Sequence, residues 1–140
     1  MFKKVVAVTT IIALMAIGFG CASIARTDKF NGLDISAEGK DNVYHYNANC
    51  WGFYLLSIPL ITGDPEDVSI MDKSKIQINM VLMKDTVNLD SVAEMLSRNA
   101  KDDGATILED VSSVRSNILF WFPLPIFFFK SVTMTANAVK

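Results

Sequence analysis

His45 and Cys50 are the side chains in this 140-residue chain best suited to hold a metal ion or to act as base and nucleophile. They stand on either side of Tyr46-Asn47-Ala48-Asn49. A structural zinc wants four ligands and a catalytic zinc three plus water. Asp41 or Asn47 could be recruited, but nothing in the spacing demands either. A Cys-His dyad would need the pair in contact and a third group to orient the imidazole. Asp64, Glu66 and Asp67 cluster around Pro65 in a spacing that fits no EF-hand, and read as a solvated turn. Asp102-Asp103-Gly104 reads as a helix exit. The chain has no glycine-rich phosphate loop, no Ser-His-Asp constellation and no HExxH. These residues point away from an enzyme and imply no cofactor. The remaining chemical alternative is a periplasmic small-ligand or metal-binding module using His45 and Cys50.

The other cysteine carries a different chemistry. Met1-Phe2-Lys3-Lys4 is a short positive region, and Val5 to Phe19 follows without a charge and almost wholly apolar, the pattern of a signal peptide. Gly20-Cys21-Ala22-Ser23 closes it with small residues. The run Ala16-Ile17-Gly18-Phe19-Gly20-Cys21 resembles a lipobox, whose pattern is aliphatic, small, Gly or Ala, then Cys. Gly20 and Cys21 match. Gly18 stands where Leu is usual, and Phe19 is bulkier than the usual Ala or Ser. The resemblance implies cleavage before Cys21 and acylation of its sulfur. Each buried CH₂ of an acyl chain contributes roughly 0.8 kcal/mol, so two or three chains anchor stably. Two rival fates remain. The uncharged stretch from Val5 to Ala25 is long enough to cross a bilayer uncleaved. Alternatively an ordinary signal peptidase cuts after Ser23-Ile24-Ala25 and frees a periplasmic protein. All three place the domain outside the cytoplasm. Ala22 rather than Asp after Cys21 implies the outer membrane, if the host is a Gram-negative bacterium.

Without the leader the chain is mildly acidic: 13 basic residues less Lys3 and Lys4, against 15 acidic, leave a net charge near −4. Such a domain does not attract polyanions, which argues against nucleic acid as a partner. If Cys21 is acylated, Cys50 has no disulfide partner in the chain and reads as a buried thiol or an intermolecular one.

The expected organisation is a signal peptide over 1–20, a tether over 21–32 and one domain over 33–140. Residues 22–32 are polar and contain Gly32, as tethers do. Leu33 to Ala37 alternates as a short strand, and Glu38 to Asn42 reads as a turn. Val43 to Asn47 and Trp51 to Ile58 are strand-like, the second weakened by Pro59. Lys75 to Lys84 is the cleanest alternation. The period then changes: Leu89, Val92, Ala93, Leu96 and Ala100 form a helical stripe, with Ser91 and Glu94, or Asn88 or Asp90, as its cap and Gly104 as its stop. Ala105 to Arg115 and Ser131 to Val139 read as strands. One amphipathic helix on one face of a small antiparallel sheet is an α+β domain of two layers.

Two aromatic-proline segments stand out. The first ends Ile58-Pro59-Leu60-Ile61. The second, Ile118 to Phe129, carries no charge and contains Trp121, Phe122, Pro123, Pro125 and Phe127. It is too short to cross a membrane as a helix, and its prolines forbid a continuous helix or central strand. Both segments packing inside is one reading. The other leaves an apolar surface around Trp51, Trp121, Phe122 and Phe127 for an envelope protein or the bilayer.

The stretch Val92-Ala93 through Leu96, Ala100 and Gly104-Ala105, followed by two strands ending at Ala136-Asn137-Ala138-Val139, resembles a module of small bacterial envelope lipoproteins. It is similar to the TRL-like lipoproteins, the YbjQ-like small proteins and the stress-sensing outer-membrane lipoprotein of the Rcs pathway. The last relies on disulfides whose cysteines are missing here, so no sensor mechanism carries over. The resemblance covers about a third of the chain and implies envelope residence rather than an activity.

Overall fold

A computed structural model describes residues 22–30, 33–35, 44–70, 79–120 and 127–140. Its centre is a six-stranded antiparallel sheet. The strands are β1 (Ala22–Thr27), β4 (Tyr44–Leu55), β5 (Ile58–Gly63), β6 (Met80–Leu82), β7 (Ile107–Phe120) and β8 (Phe127–Val139). The order is β6-β5-β4-β8-β7, and β1 pairs with β4 on the edge that β5 also uses. A small hairpin, β2 (Lys29–Phe30) with β3 (Leu33–Asp34), stands outside this sheet. The helix α1 (Leu89–Asp102) packs against β4 and β8. The domain is therefore α+β, as the two periodicities imply.

β4 organises the rest. Tyr46, Ala48, Cys50, Gly52 and Tyr54 point to the α1 side and are buried; the residues between them are less so. Ala136 and Ala138 of β8 lie beside them, fully enclosed. Small side chains there let α1 settle close, so Val92, Met95, Leu96 and Ala100 complete the core. A Cβ on Gly52 would come within 2.7 Å of Thr62 Cγ2 and 2.8 Å of the Ile61 carbonyl, so the β4–β5 contact needs glycine there.

Asn88 caps α1, its Oδ1 accepting from the Ser91 N–H at 2.8 Å. This satisfies one of the open amides of the first turn. At the other end Gly104 takes φ +83° and the Ala105 N–H returns to the Ala100 carbonyl. That left-handed exit is inexpensive only for glycine.

Several expectations need correction. Residues 22–27, expected in a tether, form β1, because twelve-residue β4 has an unpaired edge that a short polar strand can satisfy. The two strand-like runs around His45 and Trp51 are one unbroken strand. Pro59 lies inside β5, tolerated where the register shifts beside Tyr54. β7 runs on to Phe120 and β8 starts at Phe127, so each extends well into the second aromatic segment. Of the clean alternation over 75–84, Met80–Leu82 is strand, and 75–78 lie outside the described residues.

Candidate functional site

The acylation candidate, Cys21, and the whole leader lie outside the described residues. The chain enters the description at Ala22, and Ala22 is already in the sheet, paired with Cys50. Trp51 is the next residue of β4. From that point to its end, β4 presents a particular surface on the side away from α1.

Pairing defines that far face, because partners across an antiparallel ladder share a side. Trp51, Phe53 and Leu55 of β4 share it with Phe127 and Phe129 of β8, Ile118 of β7, Ile58 and Ile61 of β5 and Leu82 of β6. No far-face strand position in this half carries a charge; Lys130 of β8, opposite Gly52, is on the α1 side. The Trp51 ring lies 5.6 Å from Phe53 and 5.5 Å from Phe129, and Phe53 lies 5.5 Å from Phe129. Aromatic pairs at such distances contribute about 0.5–1.5 kcal/mol beyond their buried area. The three rings are half-buried by one another, while Leu82 is 73 % exposed and Ile58 53 %.

Two residues that follow these strands in sequence expose apolar side chains at a conformational cost. Leu56, in the turn from β4 to β5, has φ +55°, and Met83, just after β6, has φ +57°. Both side chains are exposed, at 58 % and 70 %. A left-handed backbone costs roughly 1–2 kcal/mol at an ordinary residue and almost nothing at Gly or Asn.

The other half of the same face is polar. His45, Asn47 and Asn49 of β4 lie beside Thr133, Thr135 and Asn137 of β8, Ser112 and Val114 of β7, and Ser23, Ala25 and Thr27 of β1. His45 Nδ1 and Asn137 Oδ1 are 2.8 Å apart, and Asn137 Nδ2 donates to Asp110 Oδ2 at 2.9 Å. Asp110 reaches that position from a bulge in β7, where its φ is +51°.

Strand alternation separates the two candidate metal ligands. His45 points to the far face. Cys50 points to the α1 side, fully buried, with Sγ 3.7 Å from the Thr86 carbonyl. One ion cannot take both side chains from opposite faces of one strand. Among the described residues no group of three His, Cys, Asp or Glu is placed to hold a metal, and Cys50 forms no disulfide.

Ionisable groups also meet at the α1 side. The Asp103 carboxylate, at the end of α1, accepts from the Tyr46 hydroxyl and pairs with the Arg26 guanidinium of β1. Burial alone would raise the Asp103 carboxyl; the Tyr46 and Arg26 contacts more than offset it and hold it below the usual carboxylate range. Burial, with Asp103 alongside, pushes the Tyr46 hydroxyl up. Burial, with Asp85 accepting from it at 2.6 Å, does the same to Tyr54. These contacts tie β1 and α1 to the sheet.

A cavity between α1 and the β5 exit is bordered by Glu66, Lys84, Asp85, Glu94 and Arg98, but its volume is only about 70 Å³. Lys84 is paired with Glu66 at 3.0 Å, and Arg98 donates to the Pro65 and Val68 carbonyls. Small-molecule sites usually enclose about 300–1,000 Å³. This cleft is water-sized, and the charges around it hold the fold together.

Of the predicted interaction residues, Trp51 and Phe127 lie on the aromatic half; Trp121 and Phe122 lie outside the described residues. Phe53, Leu56, Ile118 and Phe129 fall within the two aromatic-proline segments without having been singled out, and Leu82 and Met83 fall outside both. A signal for the first existed in the odd-numbered run Trp51, Phe53, Leu55. The others depend on register and backbone conformation, which no local pattern carries. Comparison with known proteins finds no matching family model, no matching curated protein and no matching solved structure.

Proposed function

We propose that this chain is a non-enzymatic lipoprotein of the bacterial cell envelope, cleaved after Gly20 and held in the membrane by acylated Cys21. Its folded part is a single small domain in which α1 covers one face of the sheet. The aromatic half of the other face, around Trp51, Phe53, Phe127 and Phe129, is its contact surface. Trp121 and Phe122, between β7 and β8, belong to the same apolar region of the sequence. The outer membrane is the expected site, from Ala22 after the cysteine. The resemblance of the C-terminal third to TRL-like lipoproteins agrees with this residence.

One observation carries the reading. A leader with a basic start and an uncharged apolar run ends at a thiol one residue before the first strand of the domain, and that strand begins level with the edge of an uncharged, largely aromatic surface. A surface of that kind on an exported chain marks an interaction site. Intact-mass measurement of the chain from its host tests the anchor. The expected mass is that of residues 21–140 plus diacylglycerol and an N-terminal acyl group, and no acylated species is expected in Cys21→Ser. An unmodified chain of 140 residues in the cytosolic fraction contradicts it.

A further inference from the structure

We infer that the aromatic half of the far face rests on the same lipid surface that holds Cys21, so the domain lies down on the bilayer instead of standing off it. This rests on the acylated anchor proposed above.

The anchor leaves the domain no slack. Were residues 22–32 a tether, the domain could hold any face toward the membrane. Instead Ala22 is hydrogen-bonded into the sheet opposite Cys50. Consecutive Cα atoms are about 3.8 Å apart, so the acylated residue stands one such step from the sheet. Acyl chains at that position bring the Ala22–Cys50 level of the sheet to the headgroups. No linker remains to lift the domain clear.

What lies at that level is not neutral in its preference. From Trp51 onward the far face is uncharged and, beyond Ser131 and Ser116 at the Trp51 level, aromatic or aliphatic; back from Cys50 it is mostly Ser, Thr and Asn, with His45 and Glu109. Tryptophan and apolar side chains partition into the headgroup–acyl boundary, while polar amides and hydroxyls keep their water. Laying the aromatic half down and leaving the polar half at the water side satisfies both. A protein partner is not demanded by the covalent geometry; the bilayer is.

The backbone supplies an independent argument. Leu56 and Met83 occupy left-handed positions where Asn or Gly would make the domain more stable, and their side chains are exposed. Within the fold more than half of each side chain stays uncovered. A lipid surface gives both side chains something to bury against. Local strain kept for apolar exposure is the mark of a contact rather than of packing.

The test uses the acylated chain carrying Trp121→Phe, which leaves Trp51 as its only indole, reconstituted in phosphatidylethanolamine–phosphatidylglycerol vesicles doped with a brominated phosphatidylcholine. The expected result is a blue-shifted Trp51 emission, most of it lost to bromine quenching. Leu56→Asn with Met83→Asn is expected to raise the melting temperature and return part of that emission; a purely structural role would move only the melting temperature. If Cys21 is acylated by mass yet Trp51 stays bright, the inference is overturned and the anchor stands. In that case a dimer of the Cys21→Ser chain in solution assigns the face to a second copy, and a monomer assigns it to another envelope protein. If the mass shows no acyl chain, the anchor and the inference fall together.

Discussion

The far face of the sheet is built from the same strands along its whole length, yet its two halves have opposite chemistry. On β4 the sequence of far-face residues runs His45, Asn47, Asn49, then Trp51, Phe53, Leu55. β8 repeats the change in reverse, from Phe127 and Phe129 to Thr133, Thr135 and Asn137. Fold stability does not require this. The α1 side, which forms the core, is continuous through the same region, with Tyr46, Ala48, Cys50 and Tyr54 all buried. The difference is that one face packs along its full length, and the other, on the reading proposed above, meets two different neighbours. Water suits the first half and an apolar surface suits the second.

The comparison breaks most plainly if the aromatic half is given the chemistry of the polar half. Trp51→Thr with Phe129→Thr, in a Cys21→Ser background that lacks the anchor, should weaken vesicle binding about a hundredfold, or roughly 3 kcal/mol of apolar burial. Vesicle sedimentation checks this, with circular dichroism to confirm the fold. The opposite exchange, Thr133→Phe, extends the apolar half into the polar one. It should tighten binding in the same assay by up to about tenfold, since a half-buried phenyl ring contributes at most about 1.5 kcal/mol, roughly half of full burial.

Asp103→Asn sharpens the contrast from the core side, because it loosens β1 and α1 without touching the far face. Denaturant unfolding at neutral pH should show a loss of about 1–3 kcal/mol, with vesicle binding per folded molecule unchanged. The wild type also carries a pH signature. A carboxyl held below its ordinary range contributes stability that is fully present above the unfolded-state value of about 3.9 and disappears as pH falls through the folded-state value. The Asn variant should therefore lose less stability on acidification than the wild type does. The smallest expected effect is Leu56→Asn alone, a gain of about 0.5–1 kcal/mol in stability at φ +55°.

The helix was legible in its stripe and its stop, while its cap, Asn88, was one of several the sequence offered. Leu89, Val92, Leu96 and Ala100 keep their period, and Asn88 and Gly104 bound it. β8 was legible from Ser131 onward for the same reason, since one buried face imposes alternation. β4 was not legible as one strand, because Asn47-Ala48-Asn49 has little strand propensity and is held by partners distant in sequence. The tether expectation failed similarly: Ser23 to Thr27 is short and polar, and only the free edge of β4 makes it a strand. Cys21 was read from sequence alone. Trp51 was visible as an aromatic, but its neighbours on the far face come from register, and the cost at Leu56 and Met83 comes from backbone angles.

The central claim is that one half of a single sheet face meets lipid and the other half meets water. Labelling the acylated chain in vesicles with a membrane-partitioned photoreactive probe, and mapping the adducts by peptide mass spectrometry, reads both halves at once. Adducts concentrated on Trp51, Phe53, Leu56, Ile58, Leu82, Met83 and Ile118, with His45 to Asn49 and Thr133 to Asn137 unlabelled, is the predicted map. Adducts spread evenly over both halves, or gathered on α1, would contradict it.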